Sequence, residues 1–240
     1  MLSLINPHER DKHITFKEYG HIYNVKGDTK YTSVTTWVKH KFDKFDADKI
    51  IDNMMRSVKW INNKYYGMSK REIKDEWNTN RDKAAQNGTN MHKMFEDYYN
   101  GISIDEYVGS IEHTYFLDFI KDHSNLVPYR TEWMIYDEKM KISGSVDMVY
   151  INADGTVSIC DWKRCKSIDK TSYYNKYSND LKYNYIPDTN YWHYTMQLNM
   201  YKTMLENNYG LIVSELFLIC IHPDLHTTYK KIKLPIINII

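Results

Sequence analysis

The stretch from Ile142 to Lys166 limits most sharply what this chain can become. Two apolar segments, Ile142 to Ile151 and Thr156 to Lys163, flank Ala153-Asp154-Gly155, a three-residue loop in which the glycine supplies the left-handed conformation. A hairpin turning there pairs Asn152 with Thr156, and the same register carries Asp147 opposite Asp161 and Ser145 opposite Lys163. Directly opposed residues bring their Cβ atoms within about 4.5–5.5 Å. Strand alternation places Asp161 and Lys163 on one face. Two bare carboxylates in apolar strands repel, and burying them is costly unless each is paired. A divalent cation removes the conflict, and carboxylate oxygens suit Mg²⁺ or Mn²⁺.

At 240 residues the chain is expected to form a single domain spanning 1–240 with a real core. Its 32 basic and 31 acidic residues cancel, so any nucleic-acid contact must come from a local patch. Cys160, Cys165 and Cys220 give neither a disulfide framework nor zinc-finger spacing, which favours a reducing, cytoplasm-like compartment inside a cell. No stretch reads as a signal peptide or membrane span. Most of the 22 tyrosines are put down to an AT-rich genome, as is the wealth of Asn, Lys and Ile.

In chain order, short strands are expected at His13–Phe16, His21–Val25 and Tyr31–Trp37, with a Lys26-Gly27-Asp28 turn and Ser33 or Thr35 as a cap. Asp46 is expected to cap a helix reaching about Tyr65, with Ile50, Met54 and Val58 inward. A second helical stretch covers Lys70 to Gly101, and Asn87-Gly88 threatens to break it. It places His92 and Glu96 four residues apart on one face, with Met91, Phe95 and Tyr98 towards the core. From spacing alone, a solvated helix face is the favoured reading of that pair over a metal site. Ser110–His123 reads as a helix, Thr131–Tyr136 as a strand with Glu132 near its start, Tyr191–Asn207 as a helix, and Glu215–His222 and Thr227–Leu234 as strands. The order α-β-β-β-α-β predicts an α/β sandwich with a mixed sheet. The apolar 234–240 segment packs as an edge strand or leads into further chain.

These residues carry a resemblance. Asp147 followed by Asp161-Trp162-Lys163 resembles the core motif of the PD-(D/E)XK nuclease superfamily. Gly88, His92 and Glu96 resemble the helix motif of its RecB-like branch, and Gln197 with Tyr201 the Gln-X-X-X-Tyr motif downstream. His21-Ile22-Tyr23 and Ser33-Val34-Thr35 are similar to features of mitochondrial genome maintenance exonuclease relatives and viral nucleases. The resemblance covers about residues 20–222. It implies a restriction-endonuclease-like αβββαβ core at about 85–222, with a helical N-terminal elaboration within 1–125. It implies one or two Mg²⁺ or Mn²⁺ ions on His92, Asp147, Asp161 and the Trp162 carbonyl, with Glu132 a further candidate. Lys163 would position or deprotonate the attacking water, and Glu96 would orient His92. Gln197 and Tyr201 would touch the DNA backbone, ordinary helix packing being the other reading. Many RecB-like members hold an iron–sulfur cluster on four cysteines; with three here, none is expected.

The loop beyond the motif adds Arg164, Lys166 and Lys170 and then Tyr173, Tyr174, Lys176 and Tyr177. Lysines grip phosphate and aromatic rings stack unpaired bases, although a mobile surface loop fits the same composition. Arg81 and Lys83 are possible phosphate contacts on the approach side. The expected activity is metal-dependent DNA hydrolysis, as an exonuclease on ends with single-strand preference. An endonuclease and a catalytically silent DNA-binding module stand as alternatives.

Overall fold

The fold was taken from a computed structural model, which describes residues 1–172 and 175–240. In order the elements are α1 (Leu2–Ile5), β1 (Ile14–Lys17), β2 (Ile22–Val25), β3 (Thr32–Ser33), α2 (Val34–Lys39), α3 (Ala47–Met55), α4 (Lys70–Tyr99), α5 (Ile111–Asp122), β4 (Val127–Asp137), β5 (Ile142–Ile151), β6 (Val157–Lys163), α6 (Asn190–Asn208), β7 (Val213–Cys220) and β8 (Lys230–Leu234). This is an α/β protein with a mixed sheet flanked by helices. The main sheet runs β3-β5-β6-β7-β8, with β4 on the other edge of β5. β6 and β7 are parallel, joined through α6, and the other long pairs are antiparallel.

One apolar layer joins Val146, Ile159, Leu216 and Leu218 of the sheet to Val34 and Val38 of α2 and Met196, Met200 and Met204 of α6. The other joins Met148, Cys160, Trp162, Phe217 and Ile219 to Met91, Met94 and Phe95 of α4 and Phe116 and Phe119 of α5. Alternation along β6 and β7 produces the two layers, as even positions of β6 face one side and odd positions the other.

Side-chain caps fix where helices begin. Ser69 accepts from the Glu72 amide while Glu72 answers to the Ser69 amide, and Ser110 and Asp46 cap α5 and α3. Several sequence expectations shift. Ser33 caps α2 at once, so Tyr31–Trp37 yields a two-residue strand and then a helix despite its β-branched residues. α3 ends at Met55, far short of Tyr65, and it buries Ile51 while Ile50 and Val58 stay exposed. α4 runs unbroken through Asn87-Gly88 for 30 residues. A glycine there costs about 1 kcal/mol, and apolar clusters at both ends of α4 hold it: Ile73 with Ile51 and Tyr65, and Met91, Met94 and Phe95 against the sheet. The last strand begins at Lys230, and beyond it Ile237 donates to Asn199 and the Ile239 carbonyl accepts from Tyr183. Thus 235–240 packs as anchored coil beside the edge strand. No helix of the described residues is long and apolar enough to cross a membrane.

Candidate metal and phosphodiester site

The hairpin forms as its turn demands. Gly155 sits at φ +81° and donates to the Asn152 carbonyl, and the β5–β6 ladder holds the expected register from Ile151–Val157 to Met148–Cys160. There the ladder stops. The far edge of β5 is covered by β4 throughout, while the near edge pairs with β3 at Ile142 and Ser143 and with β6 only from Met148. Residues 144–147 therefore face a gap in the sheet, and side chains fill it. The Trp162 amide donates to Asp147 Oδ2 at 2.9 Å where a ladder carbonyl would otherwise accept. Tyr201 lies against Gly144 so closely that a Cβ there would sit 2.7 Å from its ring.

At the same point the strand changes face. Val146 belongs to the α6 layer, yet Met148, two residues on, belongs to the α4 layer, where a regular strand would keep them together. Across the β4–β5 ladder Glu132 stands opposite Asp147 without pairing, between Thr131–Met148 and Trp133–Val146. Its φ is +43°, a strained conformation for a non-glycine residue of the kind found at functional sites. This switch lets Asp147 meet His92 from α4 while its charge is also felt by Asp161.

The resulting cluster is compact. Ligand atoms of His92, Glu132 and Asp147 all lie within 4.8 Å of one another. His92 Nδ1 is 3.4 Å from Glu132 Oε1 and 3.7 Å from Asp147 Oδ2, and Nε2 is 3.1 Å from the Trp162 carbonyl. Ser145 donates to the other Glu132 oxygen at 3.0 Å. Asp161, 1 % exposed, ion-pairs with Lys163 and accepts from Gln197 Nε2 at 3.2 Å. The Lys163 ammonium lies 4.7 Å above the Tyr194 ring.

Electrostatics follow from that packing. Burial pushes the Asp161 carboxyl up to about 7, with Asp147 repulsion adding to it and Lys163 resisting. Burial likewise raises Asp147. Burial opposes the charge on His92, but Asp147 and Glu132 outweigh it and carry the imidazole up to about 9. Lys163 is raised as well, since Asp161 and Asp147 overcome its desolvation. A protonated His92 donates from both nitrogens, to Glu132 and to Trp162, so the imidazolium does the neutralising that a cation would do. Deprotonated at Nδ1, the ring offers a ligand beside two carboxylates while Nε2–H still anchors it to Trp162. The donor set fits a divalent cation.

The structure gathers His92, Glu132, Asp147, Asp161, Lys163 and Trp162 at one place. The other candidates are placed as follows. The Trp162 carbonyl faces His92 Nε2, and thereby orients the ring. Glu96 leans towards Lys93, leaving Glu132 as the carboxylate bonded to His92. Tyr201 is 3 % exposed and packs against the sheet, and Gln197 is buried on Asp161, so neither side chain faces solvent. Arg164 pairs with Glu112 at 2.7 Å in a largely shielded contact, whereas Lys166 reaches Asp224 in an exposed pair that contributes little. Arg81 is exposed and contacts Asp82. Tyr173 and Tyr174 lie outside the described residues. Tyr194 is unmarked in the sequence, and Ser145 and Tyr23, named there only for register and resemblance, also reach the site, Tyr23 buried on β2 with its hydroxyl near Glu132.

No family model matches the chain, and no curated protein matches it. Among solved structures the chain is similar to one titled "Crystal structure of SSO0001", 14% identical, over 87% of this chain and 69% of that one, with a TM-score of 0.30. At that score the likeness carries no argument.

Two predictions test whether this cluster takes a divalent cation. Glu132→Gln keeps the shape and the Ser145 contact but removes a charge from the ligand cluster, so Mn²⁺ affinity is expected to drop by about 10–100-fold or more. Titration calorimetry checks this, and unchanged affinity would remove Glu132 from the site. The second concerns pH. The raised Asp161 takes its proton more readily folded than unfolded, so its contribution to stability falls as pH climbs from about 4 to 7. The raised His92 stabilises fully below its ordinary 6.5, and that contribution is lost as pH rises through about 9. Both act in one direction, and a metal needs these groups deprotonated. The gain in Tm on adding Mg²⁺ is therefore expected to be larger at about pH 8.5 than at about pH 6. Equal gains in scanning calorimetry would contradict it.

Proposed function

We propose that this chain is a metal-dependent nuclease of the restriction-endonuclease-like type that hydrolyses phosphodiester bonds in DNA, acting on ends with a preference for unpaired strands. The observation that carries the reading is the convergence of Asp161 and Lys163 at the end of β6 with the His92–Glu132–Asp147 cluster beside the break in the sheet. The order of a helix, three antiparallel strands, a helix and a parallel strand (α5 through β7) supports the core implied by the sequence motifs.

Glu132, Asp147 and His92 Nδ1 would hold a Mg²⁺ or Mn²⁺ ion, with Asp161 adjoining. When bound, such an ion supplies Lewis acidity towards a phosphoryl oxygen and lowers the pKa of coordinated water. Lys163 keeps its proton against burial because Asp161 and Asp147 flank it, so it serves as a donor that orients water and offsets charge developing on phosphate. Gln197 fixes one oxygen of Asp161 while Lys163 faces the other, which leaves that carboxylate in one orientation. Trp162 contributes through its backbone, its N–H to Asp147 and its C=O to His92, and its ring is buried among Phe95, Phe116 and Phe119.

The test is incubation with Mg²⁺ on end-labelled linear single-stranded, linear duplex and circular DNA. Loss of the linear forms with circles intact supports the proposal. Cleaved circles would make the protein an endonuclease, and binding without cleavage a silent module.

A further inference from the structure

Away from the site, the first turns of α4 and the loop before α3 enclose a groove lined by Phe45, Lys74, Trp77, Asn78 and Arg81. Phe45 is 73 % exposed, and its ring centre lies 6.1 Å from that of Trp77 at a tilt of 54°. Trp77 is held from behind, donating to Tyr65 at 2.8 Å within the small cluster around Ile51 and Ile73. The pair thus joins an exposed ring to an anchored, half-buried one, and both reach the groove.

Charge around the groove differs from that of the whole chain. Residues 39–83 carry 12 Lys and Arg against 8 Asp and Glu, while the full sequence is balanced at 32 against 31. Lys74 reaches Asp48 and Arg81 reaches Asp82. Exposed pairs of this kind contribute little, so a phosphate can take over either cation. The groove also has a direction. Arg81 precedes His92 by eleven residues on the same unbroken helix, about three turns, so both project from one face roughly 16 Å apart along it.

We propose that this groove is a subsite for unpaired nucleotides, in which a base stacks on Phe45 and Trp77 while Lys74 and Arg81 hold the adjoining phosphates, the strand then following α4 to the metal site. The proposal rests on the nuclease reading for the strand's destination, but binding at the groove needs no chemistry. Aromatic rings beside cations suit single strands of any sequence, since every base has a π-face. Duplex ends, with their bases already stacked, gain nothing from Phe45.

The experiment measures fluorescence anisotropy of labelled oligo-dT of about 16 nucleotides with the full chain in EDTA. Phe45→Ala is expected to weaken binding roughly 5- to 150-fold, Phe45→Trp to restore it, and a blunt duplex to bind both forms alike. Phe45 is exposed, so its loss leaves the fold intact; Trp77→Phe, which keeps a ring, is expected to bind close to wild type. Equal oligo-dT affinity for wild type and Phe45→Ala would overturn the subsite, as would a wild type that does not bind oligo-dT. A wild-type dimer dissolved by Phe45→Ala would instead make the groove a contact between copies. Cleavage assayed separately with Mg²⁺ keeps the two readings apart. Cleavage without a Phe45 effect leaves the nuclease and removes the subsite, and a Phe45 effect without cleavage does the reverse.

Discussion

Lys163→Met is expected to lower the rate of DNA cleavage by about 10²–10³-fold, the range seen when a single preorganised donor is lost from a site that stabilises developing negative charge. The fold should survive. Removing one partner of a buried ion pair is normally severe because it strands a charge, yet Asp161 already takes a proton near pH 7 and loses Lys163, the cation that holds it down. It will sit neutral in the variant and remain bonded to Gln197. Single-turnover cleavage alongside circular dichroism separates the outcomes. A variant that folds and cuts within a few-fold of wild type would remove Lys163 from the chemistry. One that fails to fold even at about pH 6 would mean the ammonium is chiefly structural.

Gly144→Ala carries the largest expected cost in stability. The added methyl meets Tyr201 Cε1 at 2.7 Å and its hydroxyl at 3.0 Å. Neither side can yield easily, since Gly144 is on β5 paired with Ile135 and Tyr201 is 3 % exposed on α6. Overpacking of this kind costs about 1–3 kcal/mol. Urea melts should show the midpoint falling at constant slope. The double variant Gly144→Ala/Tyr201→Leu, in which the ring is gone, should lose less than the two single variants summed. Strict additivity would show that the crowding is relieved elsewhere. Because Asp147 is three residues away, Gly144→Ala also reports whether the site tolerates a displaced β5.

Much of this site could be read in the chain because its information is local. Gly155 and the alternation of Val157, Ile159 and Asp161 set the hairpin register without reference to anything distant. Serine and aspartate caps likewise announce helix starts. Glu132 was named but its place was not readable. Its meeting with His92 depends on a pairing across β4 and β5, on a bulge near Arg130 and on a positive φ that no residue type signals. Gln197 and Tyr201 show the converse. Their spacing fits a phosphate-facing pair and a packing pair equally well, and only the gap beside Gly144 decides that they turn inward. Arg164 looked like part of a free basic run because its partner Glu112 is 52 residues away on α5. The misjudged face of α3 has a simpler cause: Ile50 and Ile51 are adjacent, and which one is buried depends on the helix it meets.

The 30 residues of α4 are polar along most of their length. Residues 78–90 are exposed or half-buried, and the apolar anchors lie only at the two ends. A helix solvated on all sides over that span is a strut. It spans from a small apolar cluster around Trp77 to the ring nitrogen that faces Glu132. The same span has few tertiary contacts to defend it. Protease cuts there would sever the span while leaving both packed clusters standing.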